Sequence, residues 1–505
     1  MTLFYRAIAA VTALEAASFL SFWYPQTSAW LFGLASVAAI VLAIRRLEYG
    51  VMFIFGELVI GSFGRELEVA IFGFDVSIRM ALWLVVMLVW LTKNFPFLYQ
   101  GGGKGVVRGT FYHSRLFKPY LALAVILGWG IAWGIIRGNP AGLIFSDVNN
   151  YLYFALIFPV YDVLRSSDAL RRAGTVIATA MSWLGVKTIA LFYIFSHELF
   201  SLQDVLYDWS RQSHLAEITN IDPTVILSRI FMQSQIWLVF GVFVSLGVLF
   251  MSLRGAQATK QSYWRDIGLL ILSLAAIIAS FSRSFWLAMA ITFVMLVIAL
   301  AAMREKLKTV GRFIAIAAGT GALAVGLAVI AMRFPIPPSS ADPSLIASRA
   351  GKFTGESAVS SRYAQIRPLL ESIKLHPVLG SGFGTSVTYQ SLDPRVLKNH
   401  PDGKYATTAF ELGWLDMWLE IGLLGVAAYA YLLWRILKLG LRQINRHPDR
   451  AYSRAEGSNA CLMLGALAGL VAVALTHGVS PYLNHPLGIG IMMLVTRLVD
   501  QKQNT

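Results

Sequence analysis

Apolar runs long enough to cross a bilayer recur from one end of this chain to the other, and no soluble interior could hide them all. A hydrocarbon core of ~30 Å takes roughly twenty helical residues to span. In lipid only a helix or a closed barrel satisfies every backbone group. The runs here are of helical length, so the expected fold is an all-α polytopic membrane bundle. Composition agrees: 57% of the 505 residues are hydrophobic and 14% charged, against about a quarter charged in soluble domains. We read residues 1–505 as a single polytopic membrane domain. Fourteen candidate spans fall near 8–23, 28–44, 49–62, 77–93, 118–136, 148–164, 173–196, 229–253, 264–281, 284–303, 313–332, 412–438, 457–476 and 484–500. The third is short enough to be re-entrant.

Forty-two Lys and Arg against 27 Asp and Glu leave a net charge of +15. Such an excess raises nucleic acid as a partner, but the basic residues gather in alternate connections. They run from Arg45-Arg46 through 93–118, 165–172, 254–265, 304–312 and 435–454. That is the positive-inside pattern, so the charge reports topology and the partner is the lipid bilayer, with no nucleic acid. It places both termini of a multi-pass protein in the cytoplasm. Cys461 is the single cysteine, which excludes an intrachain disulfide and a thiolate metal cluster.

Two outer segments exceed what a connector needs. One, 196–228, carries Asp204, Asp208, Glu217 and Asp222. The other, 333–410, lies between spans 11 and 12 and opens with Pro335, Pro337 and Pro338. Within it Ile366, Leu369, Leu370 and Ile373 follow the i, i+3, i+4, i+7 spacing of an amphipathic helix. Ser360 or Ser361 is placed to cap it and His376-Pro377 to end it. Pro368 must sit in its first turn or kink it. Such a helix on the membrane surface holds Arg362 and Arg367 at headgroup height. After it Gly380, Gly382 and Gly384 alternate. A dinucleotide fingerprint needs a βαβ setting that is missing here, so the reading is a tight turn using glycine's freedom at positive φ.

The stretch "SRYAQIRPLLESIKLHPVLGSGFG" resembles the outer-loop motif of the O-antigen ligase and polymerase superfamily. "SRIFMQSQIWLVFG" at 228–241, "SFSRSFWLAMAI" at 280–291, "WLEIGLLGVAAY" at 418–429 and "HGVSPYLNHPLGIGIMMLV" at 477–495 extend it. It covers about 220–500, and the first half agrees in hydropathy alone. The resemblance implies a glycan transferred from an undecaprenyl diphosphate carrier to an acceptor hydroxyl at the periplasmic face. A flippase and a chain-length regulator of the same pathway are the implied partners, and no cofactor or metal is implied. Holding a diphosphate leaving group suits arginine, whose planar fork binds phosphate oxygens and keeps its charge. On the resemblance, Arg229 and Arg283 hold the diphosphate, with Arg362 or Arg367 assisting. Each of these charges could instead snorkel to the headgroups.

Ligases of this family carry a His-Asn pair just before the helix bearing "E-x-G-x-x-G". Here that position is Glu411-Leu412. Glu411 is one candidate base for the acceptor hydroxyl, although an acid at a helix N-terminus also has a plain electrostatic reason to be there. His400 is the other. His477 and His485 flank the last outer turn, but a lone pair is weak evidence for a metal. Glu15, Glu57, Asp416 and Glu420 lie inside spans, where a hydrogen bond from a neighbouring helix is the commoner explanation. The missing histidine tilts the expectation towards a polymerase of O-antigen or exopolysaccharide repeat units. A ligase acting on a lipid A core or protein acceptor is the alternative, and a small-anion transporter the alternative from another class. A transporter needs Glu57 and Glu420 at mid-membrane, whereas an enzyme needs its arginines at the outer face.

Overall fold

A computed structural model of the protein describes residues 2–71, 73–94, 110–222, 225–253, 260–303, 306–334, 343–351, 357–391, 394–445 and 456–501. Pro335, Pro337, Pro338 and much of the basic connections at 93–118, 254–265, 304–312 and 435–454 lie outside the described residues. The chain is an all-α membrane bundle. It runs through α1 (Leu3–Trp23), α2 (Ser28–Arg45) and α3 (Leu47–Ile60) to a hairpin of β1 (Glu68–Ile71) and β2 (Phe74–Ser77). Helices α4 (Ile78–Asn94), α5 (Phe117–Ile136), α6 (Ala141–Tyr151), α7 (Ile157–Val163), α8 (Ser167–Ser196) and α9 (Phe200–Gln212) follow. A second hairpin, β3 (Glu217–Asp222) and β4 (Val225–Phe231), leads to α10 (Ile236–Leu253), α11 (Lys260–Ala279), α12 (Arg283–Ala302) and α13 (Leu307–Arg333). Next come α14 (Ser344–Gly351), α15 (Ser357–Leu375), β5 (Val387–Gln390), α16 (Pro394–Asn399) and β6 (Lys404–Thr407). The last three helices are α17 (Gly413–Asn445), α18 (Glu456–His477) and α19 (Pro486–Val499). Each hairpin is antiparallel.

Ten helical stretches among the described residues are long and apolar enough to cross a membrane. Of the fourteen runs read from the sequence, α3, α4 and α19 fold as helices of 14, 17 and 14 residues. The sixth run is broken by a 3-10 turn at Leu152–Leu156 between α6 and α7. The eighth is not helical at its start, because Arg229 lies in β4 and the helix begins at Ile236. In the long loop α15 starts at Ser357, upstream of the expected cap, and Pro368 lies well inside it.

The bundle is built around α10 and α18. Gly465 lets the two backbones meet: a Cβ there would stand 2.5 Å from the Phe243 carbonyl oxygen. Small residues drive helix packing in lipid, where burying apolar surface gains little. The helices alternate in direction, so their connections fall into two sets. At one end Arg172 pairs with Glu48 at 2.6 Å, Arg497 donates to the Arg165 carbonyl at 2.9 Å, and Asp500 accepts from Ser114 and Tyr161. At the other end stand the three hairpins. There the Gln233 amide donates to Ser62 at 2.9 Å and Ser28 to the Glu68 carbonyl at 3.1 Å.

Two buried acids of the spans, Glu57 and Glu15, have cationic partners on neighbouring helices. Arg79 on α4 meets Glu57 on α3 at 2.9 Å, and its remaining donors reach the carbonyls of Gly61 and Ser62 at 2.7 and 3.1 Å. The guanidinium therefore neutralises a buried acid and caps the C-terminus of α3. Lys187 on α8 pairs with Glu15 on α1.

Candidate functional site

Arg229 is the centre of the hairpin end. Strand β4 pairs it with Thr219 of β3. Its Nε donates to the Ser280 carbonyl at 3.0 Å, and its guanidinium lies 4.4 Å from the centre of the Phe231 ring. Phe231 packs on Phe285, and Phe285 on Tyr482, so the arginine is walled by aromatic rings. The turn it grips, 280–282, opens α12, whose first residue is Arg283 behind the N-cap Ser282. Arg229 and Arg283 are thus brought to one turn.

Like charges gather around Arg229. Burial pushes its guanidinium below the usual arginine range, and Glu217 opposes that shift. Arg349 and Arg362 stand close enough to lower it further. Arg229, Arg349 and Arg362 thus stand near one another, together with the carboxylates of Glu217 and Glu411. The latter pairs with Arg362 at 2.6 Å. Such a cluster favours an anion.

Arg367 is not part of the cluster. Five residues after Arg362, it points from another face of α15, with its side chain 90% exposed and paired with Glu371 at 2.8 Å. Of the stripe read on α15, Leu369 and Ile373 are buried against Val387, Phe410 and Leu419, whereas Ile366 is half-buried and Leu370 is exposed. His400 ends α16, exposed, with its ring against Tyr405. His477 accepts from the Leu483 amide at 3.2 Å, and His485 caps α19 by accepting from the Leu487 amide.

The glycine segment is a structural plug. Gly380, Gly382 and Gly384 have φ of 76°, 84° and 78°. Helix α17 is broken at Gly422, with φ 69° and ψ 179°, and segment 377–384 fills the break. Ser381 and Gly382 donate to the carbonyls of Leu419 and Glu420 at 2.7 and 2.9 Å. Leu423 and Leu424 donate back to Pro377 and Val378. The amides of Gly380 and Phe383 go to His376 and Gly130, and that of Gly384 to Asp147 at 2.8 Å. Every amide from 380 to 384 is spent on the protein, so this loop offers no nest for a phosphate.

Beside the arginines an apolar cavity of about 840 Å³ runs between α10, α11, α12 and α13. Residues Ile314 to Val329 of α13 line it, about 22 Å along the helix at 1.5 Å per residue. Helix α14 gives Ser344, Ile346 and Ala347 to the lining and Arg349 to the charged cluster. One short helix therefore joins an apolar groove to a cationic patch.

Three functional candidates escaped the sequence reading. Arg349 looked like any loop arginine. Asp147 on α6 is a lone acid at the start of a span, and Tyr482 an aromatic in a turn. Tyr482 and Asn484 join two groups: the first flanks Arg229, and the second donates to Asp416 at 3.0 Å.

Residues 268–430 match the family model described as O-antigen ligase, roughly a third of the chain. The match runs from α11 to the first half of α17. It takes in Arg283, Arg349, Arg362, the glycine plug and Glu420, and leaves Arg229 and Asp147 outside. No curated protein matches the sequence.

Proposed function

We propose that this member of the O-antigen ligase and polymerase superfamily, identified by the domain at 268–430, joins glycan units delivered on a polyprenyl diphosphate. It is a multi-pass membrane glycan transferase. The observation that carries the finer reading is the junction at α14, where an apolar groove meets the arginines. A polyprenyl diphosphate has that form: a long apolar tail and a compact anionic head.

Magnitudes divide the labour between groove and head site. A tail that leaves lipid for a protein groove gains little, since both surroundings are apolar. Charged hydrogen bonds contribute about 1.5–3 kcal/mol each. Affinity and transition-state stabilisation therefore rest on the arginines, and the groove sets orientation. In this reading Arg229 and Arg283 hold the diphosphate and Arg362 assists, with Glu411 keeping the Arg362 fork in place. As the sugar leaves its carrier, negative charge grows on the diphosphate oxygens, where fixed cations lower the barrier.

The positive-inside rule supports an outward, periplasmic orientation for the hairpin end, with the termini in the cytoplasm. Glu411 in place of the ligase histidine supports polymerisation of repeat units, supplied by a flippase and measured by a chain-length regulator. The description of the matched family favours the ligase as second reading.

The test is the polysaccharide profile of a deletion strain carrying wild type or Arg229→Ala. Single repeat units in the deletion strain, with no length restored by Arg229→Ala, support the polymerase. Long glycan left on its lipid carrier means the ligase. A profile that never changes sinks the transferase reading.

A further inference from the structure

Beside the arginines lies a second buried group that the diphosphate site does not use. Asp147 on α6, Asp416 and Glu420 on α17 bear on one another, and among the described residues no Lys or Arg bears on them. Asp416 and Glu420 are 5% and 4% exposed, whereas Asp147 is only half-buried. Asp147 and Glu420 hydrogen-bond to each other. Two carboxyl groups can do so only with a proton between them.

Three polar atoms here have no partner within the chain. They are the Tyr151 hydroxyl, Asp416 Oδ1 and Asn484 Oδ1. Tyr151 is 5% exposed, and all three carboxylates act on its hydroxyl. Buried polar atoms are ordinarily partnered, so a group of them without partners asks for an explanation.

The group adjoins the arginines by two short routes. Thr408 stands beside Asp147, and Glu411, which holds Arg362, is three residues further on, at most ~10 Å of extended chain. Asp416 holds Asn484, two residues from the Tyr482 that flanks Arg229.

We propose that Asp147 is the catalytic base that takes the acceptor's proton, with Glu420 as the positioning residue that shares it. This rests on the transferase reading. The proton shared with Glu420 shifts onto Glu420 and leaves Asp147 a carboxylate, oriented by the Gly384 amide and Thr408. The acceptor hydroxyl gives its proton to Asp147 as its oxygen bonds to the anomeric carbon. The bond from that carbon to the diphosphate breaks, and the diphosphate leaves with the electron pair, held by the arginines. The acceptor is thus a neutral sugar hydroxyl, met at the half-exposed edge of the group.

The experiment uses full-length protein in membrane vesicles holding the host's own lipid-linked glycan. Binding of undecaprenyl diphosphate is read separately, as a shift in melting temperature of the purified protein. Asp147→Ala is expected to slow transfer by about a hundredfold or more, to bind the lipid within a few-fold of wild type, and to regain at least about tenfold on addition of formate. Formate restores a missing carboxylate and cannot restore an anchor. Transfer by Asp147→Ala close to wild type, while Arg229→Ala has lost it, overturns the base and leaves the transferase reading standing. A folded, lipid-binding variant that formate does not rescue also overturns it. If Asp147→Ala and Asp147→Asn both fail to fold, Asp147 is an anchor of the glycine plug and the proposal is wrong. If Arg229→Ala transfers like wild type, the transferase reading itself has failed.

Discussion

Alanine at Gly382 should unlock the outer loop from the bundle. The residue sits at φ 84°, and a Cβ there would collide with the Gly134 amide nitrogen and stand 2.7 Å from the Gly134 Cα. Both are backbone atoms of α5 and cannot swing aside. The left-handed conformation costs a non-glycine residue ~1–2 kcal/mol, and overpacking adds ~1–3 kcal/mol. The penalty is therefore about 2–5 kcal/mol. It falls on the interlock of 377–384 with 419–424 rather than on the distant helices. Hydrogen exchange of purified protein reads such local opening directly. The amides of Ser381, Gly382, Phe383, Gly384, Leu423 and Leu424 should exchange roughly thirty- to several-thousand-fold faster, at tenfold per 1.4 kcal/mol. Gly311→Ala in α13 is the control: its Cβ would meet nothing within 4 Å, and alanine is the better helix former. Unchanged exchange at 380–384 in Gly382→Ala would refute the plug.

Three further outcomes follow from the same geometry. Gly321 lines the groove with no atom within 4 Å of its would-be Cβ, so Gly321→Trp should fill the groove, keep the melting temperature, and weaken use of the lipid-linked donor roughly tenfold or more. Burial, with Glu15 beside it, pushes the Glu66 carboxyl well above its usual range while Lys187 opposes. The folded chain then keeps this proton to higher pH than the unfolded one, so its contribution to stability is full below the ordinary carboxylate range and is lost as pH rises. Glu66→Gln should therefore melt higher than wild type at pH 7, with the gap closing towards about pH 4. Arg367→Ala should leave glycan length and melting temperature unchanged in gel and thermal assays, because the side chain stands in solvent on Glu371.

What the sequence made legible was whatever a single element decides. Helical runs and the burial of Leu369 and Ile373 each follow from local periodicity. The alternating glycines announced left-handed backbone. Strand β4 was hidden because "VILSRIF" is apolar and β-branched and runs on into the α10 helix, so period alone could not divide strand from span. The break in α17 was hidden for a different reason. Gly422 is tolerated inside a helix, and only segment 377–384, some forty residues upstream, supplies the hydrogen bonds that make unwinding there affordable. The site is non-local in the same way. Arg362 finds Glu411 forty-nine residues away, and Asp147 finds the amide of Gly384 and the carboxyl of Glu420 from an unrelated helix.

A broken helix with acids beside it is also what a transporter would show, and the details favour the enzyme. In a transporter the unwound backbone lines a cavity and its freed groups meet the cargo. Here the freed carbonyls of Leu419 and Glu420 and the amides of Leu423 and Leu424 all bond to the plug. Glu57, the other charge a transporter would need, is held by an arginine that also caps its helix. That charge is committed to the fold. A different group, Arg229 with Arg349 and Arg362 near it, lies at the hairpin end. It stands where the groove reaches α14, which suits the lipid-linked donor proposed above.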